Sequence, residues 1–213
     1  MCGIVGYFGQ REPSKIVIDG LRRLEYRGYD SAGIAVHHGE NGIDVTRSVG
    51  AVEKLDLLFS QKVTDTEAKI AIGHTRWATH GVPTEHNAHP HMSMYGTISI
   101  VHNGIIENYE TLKKKLITEG YVFKSETDTE VLANWIEYKY KEIYSETDGD
   151  LQDAVRLALE DVVGAYAILV LDCHSEQIVA ARKSSPLAIG IGEDEYVIAS
   201  DATPIIQYTR DIV

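Results

Sequence analysis

The sequence is most restrictive in what it lacks. It has only two cysteines, Cys2 and Cys173, and no Cys-x-x-Cys pair, which excludes a thiolate metal centre and a disulfide framework. No run of roughly 18 uninterrupted apolar residues occurs, so we expect no membrane-spanning helix. Lys and Arg number 20 against 32 Asp and Glu, and the net charge of −12 argues against nucleic acid or an anionic membrane as a partner.

The first residues also lack the basic stretch and apolar segment of a secretion signal, so we expect a cytoplasmic protein with free thiols. The rest of the composition is that of a globular protein, with 44% hydrophobic and 24% charged residues in a chain of 213. One short stretch, residues 145–150, has linker character. We therefore predict a single domain over residues 1–213.

Strand and helix patterns alternate along the chain. Some strands are continuous apolar runs, such as residues 165–171, which is typical of a sheet covered on both faces. Helices are predicted to begin at Pro13, at residue 107, at Thr127 within a capping box, and at Leu151. The predicted strands are residues 3–8, 32–38, 43–49, 70–75, 97–102, 165–172, 177–182, 187–192 and 196–200. The late strands are joined by short turns, which predicts an antiparallel meander. The fold class is α+β, with two mainly antiparallel sheets between two helix layers.

Cys2 is the strongest candidate for chemistry. Removal of Met1 during synthesis would leave Cys2 with a thiol and the free α-amino group of the chain. A nucleophile and a general base would then share one residue, since an α-amine with a pKa of about 7.7–8 is a usable base at neutral pH. The alternative is a buried cysteine at the start of a strand.

Four polar loops accompany the strands, and together they meet the needs of acyl transfer from an amide. Asn103 and Gly104 can supply neutral hydrogen-bond donors to an oxyanion. Arg76 can bind a carboxylate, and Asp128 can accept from an ammonium group, although an acid in the first turn of a helix is also common without any such role. A substrate with both groups is an amino acid.

Six ordered motifs make the pattern specific: residues 2–7 (CGIVGY), 24–33 (LEYRGYDSAG), 74–81 (HTRWATHG), 87–91 (NAHPH), 102–108 (HNGIIEN) and 126–130 (ETDTE). They resemble those of the class II, or N-terminal nucleophile, glutamine amidotransferases. Within that class they are similar to the glutaminase domain of the glutamine–fructose-6-phosphate aminotransferase family. The motifs run from residue 2 to about residue 131, and the remainder resembles the same domain.

The resemblance implies a four-layer αββα sandwich of the N-terminal nucleophile (Ntn) hydrolase type. It implies that Cys2 attacks the γ-amide of L-glutamine, with its own α-amine moving the proton. Asn103 and Gly104 resemble the oxyanion hole, and Arg27 resembles a support for the terminus of the nucleophile. The residues that resemble the glutamine-binding set are Arg76, Trp77, Thr79, His80, Gly104 and Asp128, with Trp77 in a loop that covers the site. No metal and no cofactor are expected.

The resemblance also implies a larger parent enzyme. A sugar-phosphate isomerase domain, which a chain of this length cannot contain, would pass ammonia to fructose 6-phosphate and form glucosamine 6-phosphate. The chain alone would perform the glutaminase half-reaction. Two alternatives stay open: a glutaminase with another ammonia acceptor, and a non-catalytic module that binds an amino acid. A metal site at His86, His89 and His91 is disfavoured, because nothing beside them supplies a fourth ligand or a supporting shell.

Overall fold

The structure is a computed structural model that describes residues 2–62, 67–77, 82–146 and 150–213. The strands in this part of the chain are β1 (Gly3–Phe8), β2 (Ser31–His37), β3 (Ile43–Val49), β4 (Ile70–Arg76), β5 (His91–Met92), β6 (Ile98–Ile106), β7 (Gly164–Asp172), β8 (Val179–Lys183), β9 (Ala188–Ile191) and β10 (Tyr196–Ala199). The helices are α1 (Pro13–Leu24), α2 (Val52–Ser60), α3 (Tyr109–Thr118), α4 (Asp128–Glu146) and α5 (Leu151–Glu160).

The described strands form two sheets. The first has the order β3-β2-β4-β1-β10-β9, and the second has the order β5-β6-β7-β8. Neighbouring strands within both sheets are antiparallel. The strand that follows Cys2, β1, lies inside the first sheet between β4 and β10, so the segment behind Cys2 is held from both sides.

Three apolar layers show how the sheets and helices stack. α1 and α2 cover the outer face of the first sheet, and α3, α4 and α5 cover the outer face of the second. The third layer lies between the sheets. In β7, Ala167, Leu169 and Leu171 face the first sheet, whereas Ile168 and Val170 face the helices. Because successive side chains of a strand point to opposite faces, this explains the continuous apolar run, and the αββα prediction is confirmed.

The predicted meander of late strands is wrong in one respect. β7 and β8 pair in the second sheet, whereas β9 and β10 pair in the first. The chain changes sheets between Lys183 and Ala188, where Ser184 has a φ of 66° and Pro186 lacks a backbone donor. Short connections predict antiparallel neighbours only when the chain stays within one sheet.

The predicted helix starts at Pro13 and Leu151 are confirmed, whereas α3 begins at Tyr109 rather than at residue 107. One helix was missed, and one predicted cap needs correction. α2 was not predicted, yet Val52, Leu55 and Phe59 form a buried stripe at helical spacing against the first sheet. At the start of α4, Thr127 Oγ1 accepts from Glu130 N at 3.2 Å, but Glu130 turns back to Lys124 and Ser125 rather than to Thr127. The capping box is therefore only half formed. Pro13 occupies the first turn of α1 as predicted.

Among the helices in the described residues, none has the length and apolar character needed to cross a membrane.

Candidate active site

Cys2 lies at the entrance of β1, beside the end of β4. Its Sγ accepts a hydrogen bond from Trp77 N at 3.2 Å. The register of β1 against β4 pairs Gly3 with Thr75, and a side chain at Gly3 would bring a Cβ within 2.7 Å of Thr75 Oγ1. Glycine at position 3 therefore lets the strand that follows Cys2 pack closely against β4.

Burial raises the pKa of the Cys2 thiol, because desolvation disfavours the thiolate. The Trp77 N–H and the positive charges of Arg76 and Arg27 oppose that shift without cancelling it. The resting sulfur is therefore a neutral thiol near neutral pH, and attack on a substrate needs a base close by.

Asn103 and Gly104, on β6 of the second sheet, lie beside Cys2. The Asn103 side-chain nitrogen Nδ2 donates to Cys2 O at 3.1 Å. Gly104 pairs with Tyr166 of β7, has a φ of 135°, and a Cβ there would lie 2.0 Å from Ala165 O. Both the backbone angle and the space require glycine. The predicted strand ending at residue 102 continues to Ile106, so both residues lie within a strand rather than in a loop.

Arg76 and Asp128 place opposite charges on the same pocket, which Cys2 and Gly104 also line. Arg76 is the last residue of β4 and is buried. Desolvation lowers the pKa of its guanidinium, and the negative charges of Asp30 and Asp128 oppose that shift. Asp128 opens α4, and its Oδ2 accepts from Ile106 N at 2.8 Å. The charge pair suits a small zwitterion.

Trp77 lines the mouth of the pocket and is 53% exposed. Its ring packs against Gly28, whose φ is 137° and where a Cβ would lie 2.7 Å from the indole Cε3. Gly28 thus permits close contact between the two segments. The predicted binding residues Thr79 and His80 lie outside the described residues.

Arg27 supports β1 at Ile4, two residues beyond Cys2. Its Nη1 donates to Ser200 O at 3.0 Å and lies 3.7 Å from Asp201 Oδ2. Ser200 in turn accepts from Ile4 N through Oγ at 3.0 Å, and its backbone N–H donates to Ile4 O at 3.1 Å. Arg27 was predicted to support the terminus itself; in the structure it acts on Ile4, through Ser200.

Four buried histidines lie beside the pocket: His74, His89, His91 and His102. From the sequence, His89 and His91 were considered only as disfavoured metal ligands, and His74 and His102 were given no individual role. His89 stacks on His74 with ring centroids 4.1 Å apart and meets His91 edge-on at 4.8 Å. Desolvation lowers the pKa of all four, that of His74 to about 3, so they are neutral at neutral pH. His74 and His102 interrupt otherwise apolar strands, and this interruption was the sequence signal that could have identified them as buried polar groups beside the site.

The histidines considered as a metal site are divided between two pockets. His86 and His91 line one pocket, beside Arg47 and Lys124, whereas His89 lines the pocket beside Cys2 and meets the His91 ring edge-on. Over residues 2–62, 67–77, 82–146 and 150–213, no group of three His, Cys, Asp or Glu side chains is arranged to hold a metal ion.

A family model described as "Glutamine amidotransferase domain" matches residues 74–207. The chain belongs to this family. The resemblance drawn from the sequence motifs is thereby confirmed for the amidotransferase domain, whose αββα layers surround the pocket described above.

Curated relatives match the amidotransferase domain over its whole length. Glutamine–fructose-6-phosphate aminotransferase [isomerizing] of Bacteroides thetaiotaomicron is 55% identical over 214 residues, which are 100% of this chain and 34% of the relative. An enzyme of the same name from Thermus thermophilus is 50% identical over 213 residues, again 100% and 34%. The chain therefore spans about a third of the length of the curated relatives it matches.

Solved structures show the same fold in the amidotransferase domain. Glutamine phosphoribosylpyrophosphate amidotransferase from B. subtilis, complexed with ADP and GMP, aligns with a TM-score of 0.78 and 28% identity over 98% of this chain and 44% of that chain. A structure described as the allosteric regulatory enzyme of purine biosynthesis aligns with a TM-score of 0.80 and 30% identity, with the same coverage.

Proposed function

We propose that this domain hydrolyses the γ-amide of L-glutamine to glutamate and ammonia through a thioester on Cys2. The observation that carries the proposal is the meeting of three features at one pocket. A cysteine thiol lies at the second residue, the Asn103 carboxamide donates to the carbonyl of that cysteine at 3.1 Å, and Arg76 and Asp128 face the same space. Each feature matches one requirement of acyl transfer from an amino-acid amide.

The reaction begins with proton transfer from the Cys2 thiol to the α-amine of the same residue, once Met1 has been removed. The sulfur then attacks the γ-carbonyl carbon, and the carbonyl oxygen becomes an oxyanion. Asn103 Nδ2 and the backbone N–H of Gly104 stabilise this charge. Nδ2 carries two hydrogens, and among the described residues only Cys2 O accepts one of them, which leaves the second for the substrate.

Collapse of the tetrahedral intermediate breaks the carbon–nitrogen bond, and the ammonium form of the Cys2 amine returns its proton to the leaving nitrogen. Ammonia departs and the γ-glutamyl group stays on sulfur as a thioester. Water, deprotonated by the same amine, then attacks the thioester carbon and releases glutamate. The thiol is regenerated, so the sum of the steps is glutamine plus water giving glutamate plus ammonia.

Substrate binding is assigned to the charged residues. Arg76 binds the α-carboxylate and Asp128 binds the α-ammonium group, so that the side-chain amide extends toward Cys2. Trp77, Thr79, His80 and the backbone of Gly104 complete the binding set that the family resemblance implies. The proposed reaction uses no metal ion and no cofactor.

The acceptor is proposed from the names of the curated relatives. Fructose 6-phosphate would receive the ammonia and become glucosamine 6-phosphate on a sugar-phosphate isomerase domain that acts together with this single glutaminase domain of residues 1–213. A different acceptor would leave the glutaminase chemistry unchanged. Because Cys2 and Cys173 are both free thiols, we place the reaction in the cytoplasm.

The test is glutamate release from L-glutamine by the purified domain, with the N-terminal mass measured in the same sample. Met-free protein should turn over, and Cys2→Ala should abolish release while the thermal unfolding midpoint stays close to wild type. Cys173→Ala is the matched control, because it removes the other free thiol and should keep wild-type turnover. Glutamine binding without glutamate release by Met-free protein would contradict the proposal and identify an amino-acid-binding module instead.

A further inference from the structure

His74 is a buried polar group that the mechanism above does not use. It lies on β4, directly opposite Ile4 of β1 and Gly33 of β2. Its Nε2 is 2.9 Å from Asn103 Oδ1 and 3.1 Å from His102 O. The ring therefore connects the first sheet to the residue that contacts Cys2.

The partners of this pair fix where the hydrogens are. Cys2 O can only accept, so the Asn103 nitrogen faces Cys2 and Oδ1 faces His74. His102 O can also only accept, so Nε2 of His74 carries the proton and shares it between the two oxygens. Two backbone carbonyls thus determine both the tautomer of His74 and the orientation of the Asn103 amide.

The ring is held in this state. His74 Nδ1 is buried and has no hydrogen-bond partner among the described residues, so a second proton there would be an unpaired buried donor. Burial lowers the pKa of His74 to about 3, which keeps the ring neutral. His89 stacks on the ring at 4.1 Å with an interplanar angle of 15°, which restricts its rotation.

The packing around the stack requires a glycine on the neighbouring strand. A Cβ at Gly33 would lie 2.1 Å from His89 O. Glycine at position 33 therefore allows the segment that carries His89 to approach β2 closely enough to cover His74.

We propose that His74 is a positioning residue of the oxyanion hole, whose Nε2–H holds the Asn103 carboxamide with Nδ2 toward the reacting carbonyl. The inference rests on the proposed glutaminase reaction. Without the His74 hydrogen bond, only the bond from Nδ2 to Cys2 O opposes a 180° turn of the amide, which would present Oδ1, an acceptor, to the developing oxyanion. Oδ1 would then repel the oxyanion that Nδ2 would otherwise stabilise.

Two variants separate positioning from packing. In His74→Asn, the side-chain amide reaches only the position of the histidine Nδ1 and leaves no donor within reach of Asn103. In His74→Gln, the longer side chain places an amide N–H at about the position of Nε2. Loss of a whole oxyanion donor costs about 10²–10³ in kcat, so misorientation should lower kcat of His74→Asn by about 10–100-fold. KM should stay within about threefold, because Arg76 and Asp128 are unchanged. His74→Gln should recover to within about fivefold of wild type.

Alkylation of Cys2 by iodoacetamide gives an independent readout, since displacement of iodide by sulfur forms no oxyanion. The rate, followed by mass analysis of the Cys2 peptide, should be unchanged in both variants. In an Asn103→Ala background, His74→Asn should cause no further loss of kcat. A wild-type kcat in His74→Asn, a parallel fall of kcat and alkylation in both variants, or a further loss in the Asn103→Ala background would overturn the proposal.

A readout without turnover keeps this inference separate from the proposed function. In ¹⁵N-labelled protein, the two Asn103 side-chain amide protons, assigned through Asn103→Ala, should be well separated in wild type and His74→Gln. In His74→Asn they should move toward the shifts of a free carboxamide. Unchanged amide shifts in His74→Asn would reject the positioning role even in protein that hydrolyses no glutamine. Absence of glutamate release from Met-free wild type, with the expected shifts present, would reject only the glutaminase proposal.

Discussion

The two sides of the pocket are built differently. One side, here called the strand wall, consists of Cys2, His74, Asn103 and Gly104, which lie on or next to β1, β4 and β6. The other, here called the charged wall, consists of Arg76 and Asp128, at the end of β4 and the start of α4. The side chains of the strand wall are neutral at neutral pH and are held by hydrogen bonds between the two sheets. The charged wall pairs a guanidinium with a carboxyl group.

The difference matches two tasks. Charge that develops during a reaction is stabilised best by fixed dipoles that need no rearrangement, and strands hold such dipoles to within fractions of an ångström. Charges that the substrate already carries are bound by ions of opposite sign. Damage to the strand wall should therefore reduce kcat, and damage to the charged wall should raise KM.

The largest effect is expected from Gly104→Ala. The new Cβ would lie 2.0 Å from Ala165 O at a φ of 135°, so the β6–β7 ladder must shift and carry the proposed oxyanion donor with it. We expect kcat/KM for glutamine to fall by at least about 10³-fold. Steady-state glutamate release, normalised to the folded fraction, measures this.

Gly164→Ala is the matched control for that variant. Gly164 has a φ of 134° on the same ladder, where a Cβ would lie 2.1 Å from Ile105 O, but it does not line the pocket. Urea unfolding should show a similar loss of stability in both variants. Equal losses of kcat/KM in the two folded proteins would show that Gly104 acts only through the ladder and would contradict its place in the strand wall.

A smaller effect is expected from Asp128→Asn, which breaks the charged wall. The carboxamide oxygen can still accept from Ile106 N, so the start of α4 should keep its structure. Loss of a charge-assisted hydrogen bond to an ammonium group costs about 2 kcal/mol, which corresponds to an increase in KM of about 30-fold. Kinetics with glutamine and with a glutamine analogue that lacks the α-amine measure the effect.

The two substrates sharpen that prediction. The KM of the analogue should differ little between wild type and Asp128→Asn, since the analogue makes no contact with the carboxylate. A similar rise in KM for both substrates would remove Asp128 from ammonium recognition.

Several of these contacts were predictable from the sequence and others were not. Four site residues lie at or just beyond the ends of elements that were predicted from the sequence, and the structure brings them to one pocket: Cys2, Arg76, Gly104 and Asp128. The pairing of His74 with Asn103 was not predictable, because it joins two sheets through residues 29 positions apart. Periodicity predicts which face of a strand is buried but not which buried polar groups meet.

The helix α2 shows another limit. Its buried residues Val52, Leu55 and Phe59 are few, and the exposed Leu57 blurs the stripe that an amphipathic helix should show. Similarly, nothing local indicates that β8 and β9 belong to different sheets. The partner of β9 is β10, and the choice of sheet is made by tertiary packing.

The smallest effect, counted per residue, concerns acid and the buried histidines in and behind the strand wall. The pKa of an unfolded histidine is about 6.5, whereas that of folded His74 is about 3. Between these values the unfolded state holds more protons, so stability is full above pH ~6.5 and falls as the pH decreases. Between pH ~7 and pH ~5, each such histidine should lower the free energy of unfolding by about 1–2 kcal/mol.

Urea unfolding at both pH values measures this cost, and His74→Gln should show a smaller loss over that pH interval than wild type. An unfolding free energy that stays constant as the solution is acidified would show that the histidines are not held neutral. The kinetic difference between the two walls would then have to be explained without them.

The position of β1 also has a consequence for how the domain is made. Val5 pairs with Gly73 on one side and with Ala199 on the other, so the strand behind Cys2 is completed only by residues far along the chain. Contacts of such long sequence separation form late, because the entropy of closing a large loop must be overcome first. During synthesis on the ribosome, the segment that begins with Cys2 therefore leaves the exit tunnel long before its partner β10, and the proposed glutamine hydrolysis must wait until β10 has emerged as well.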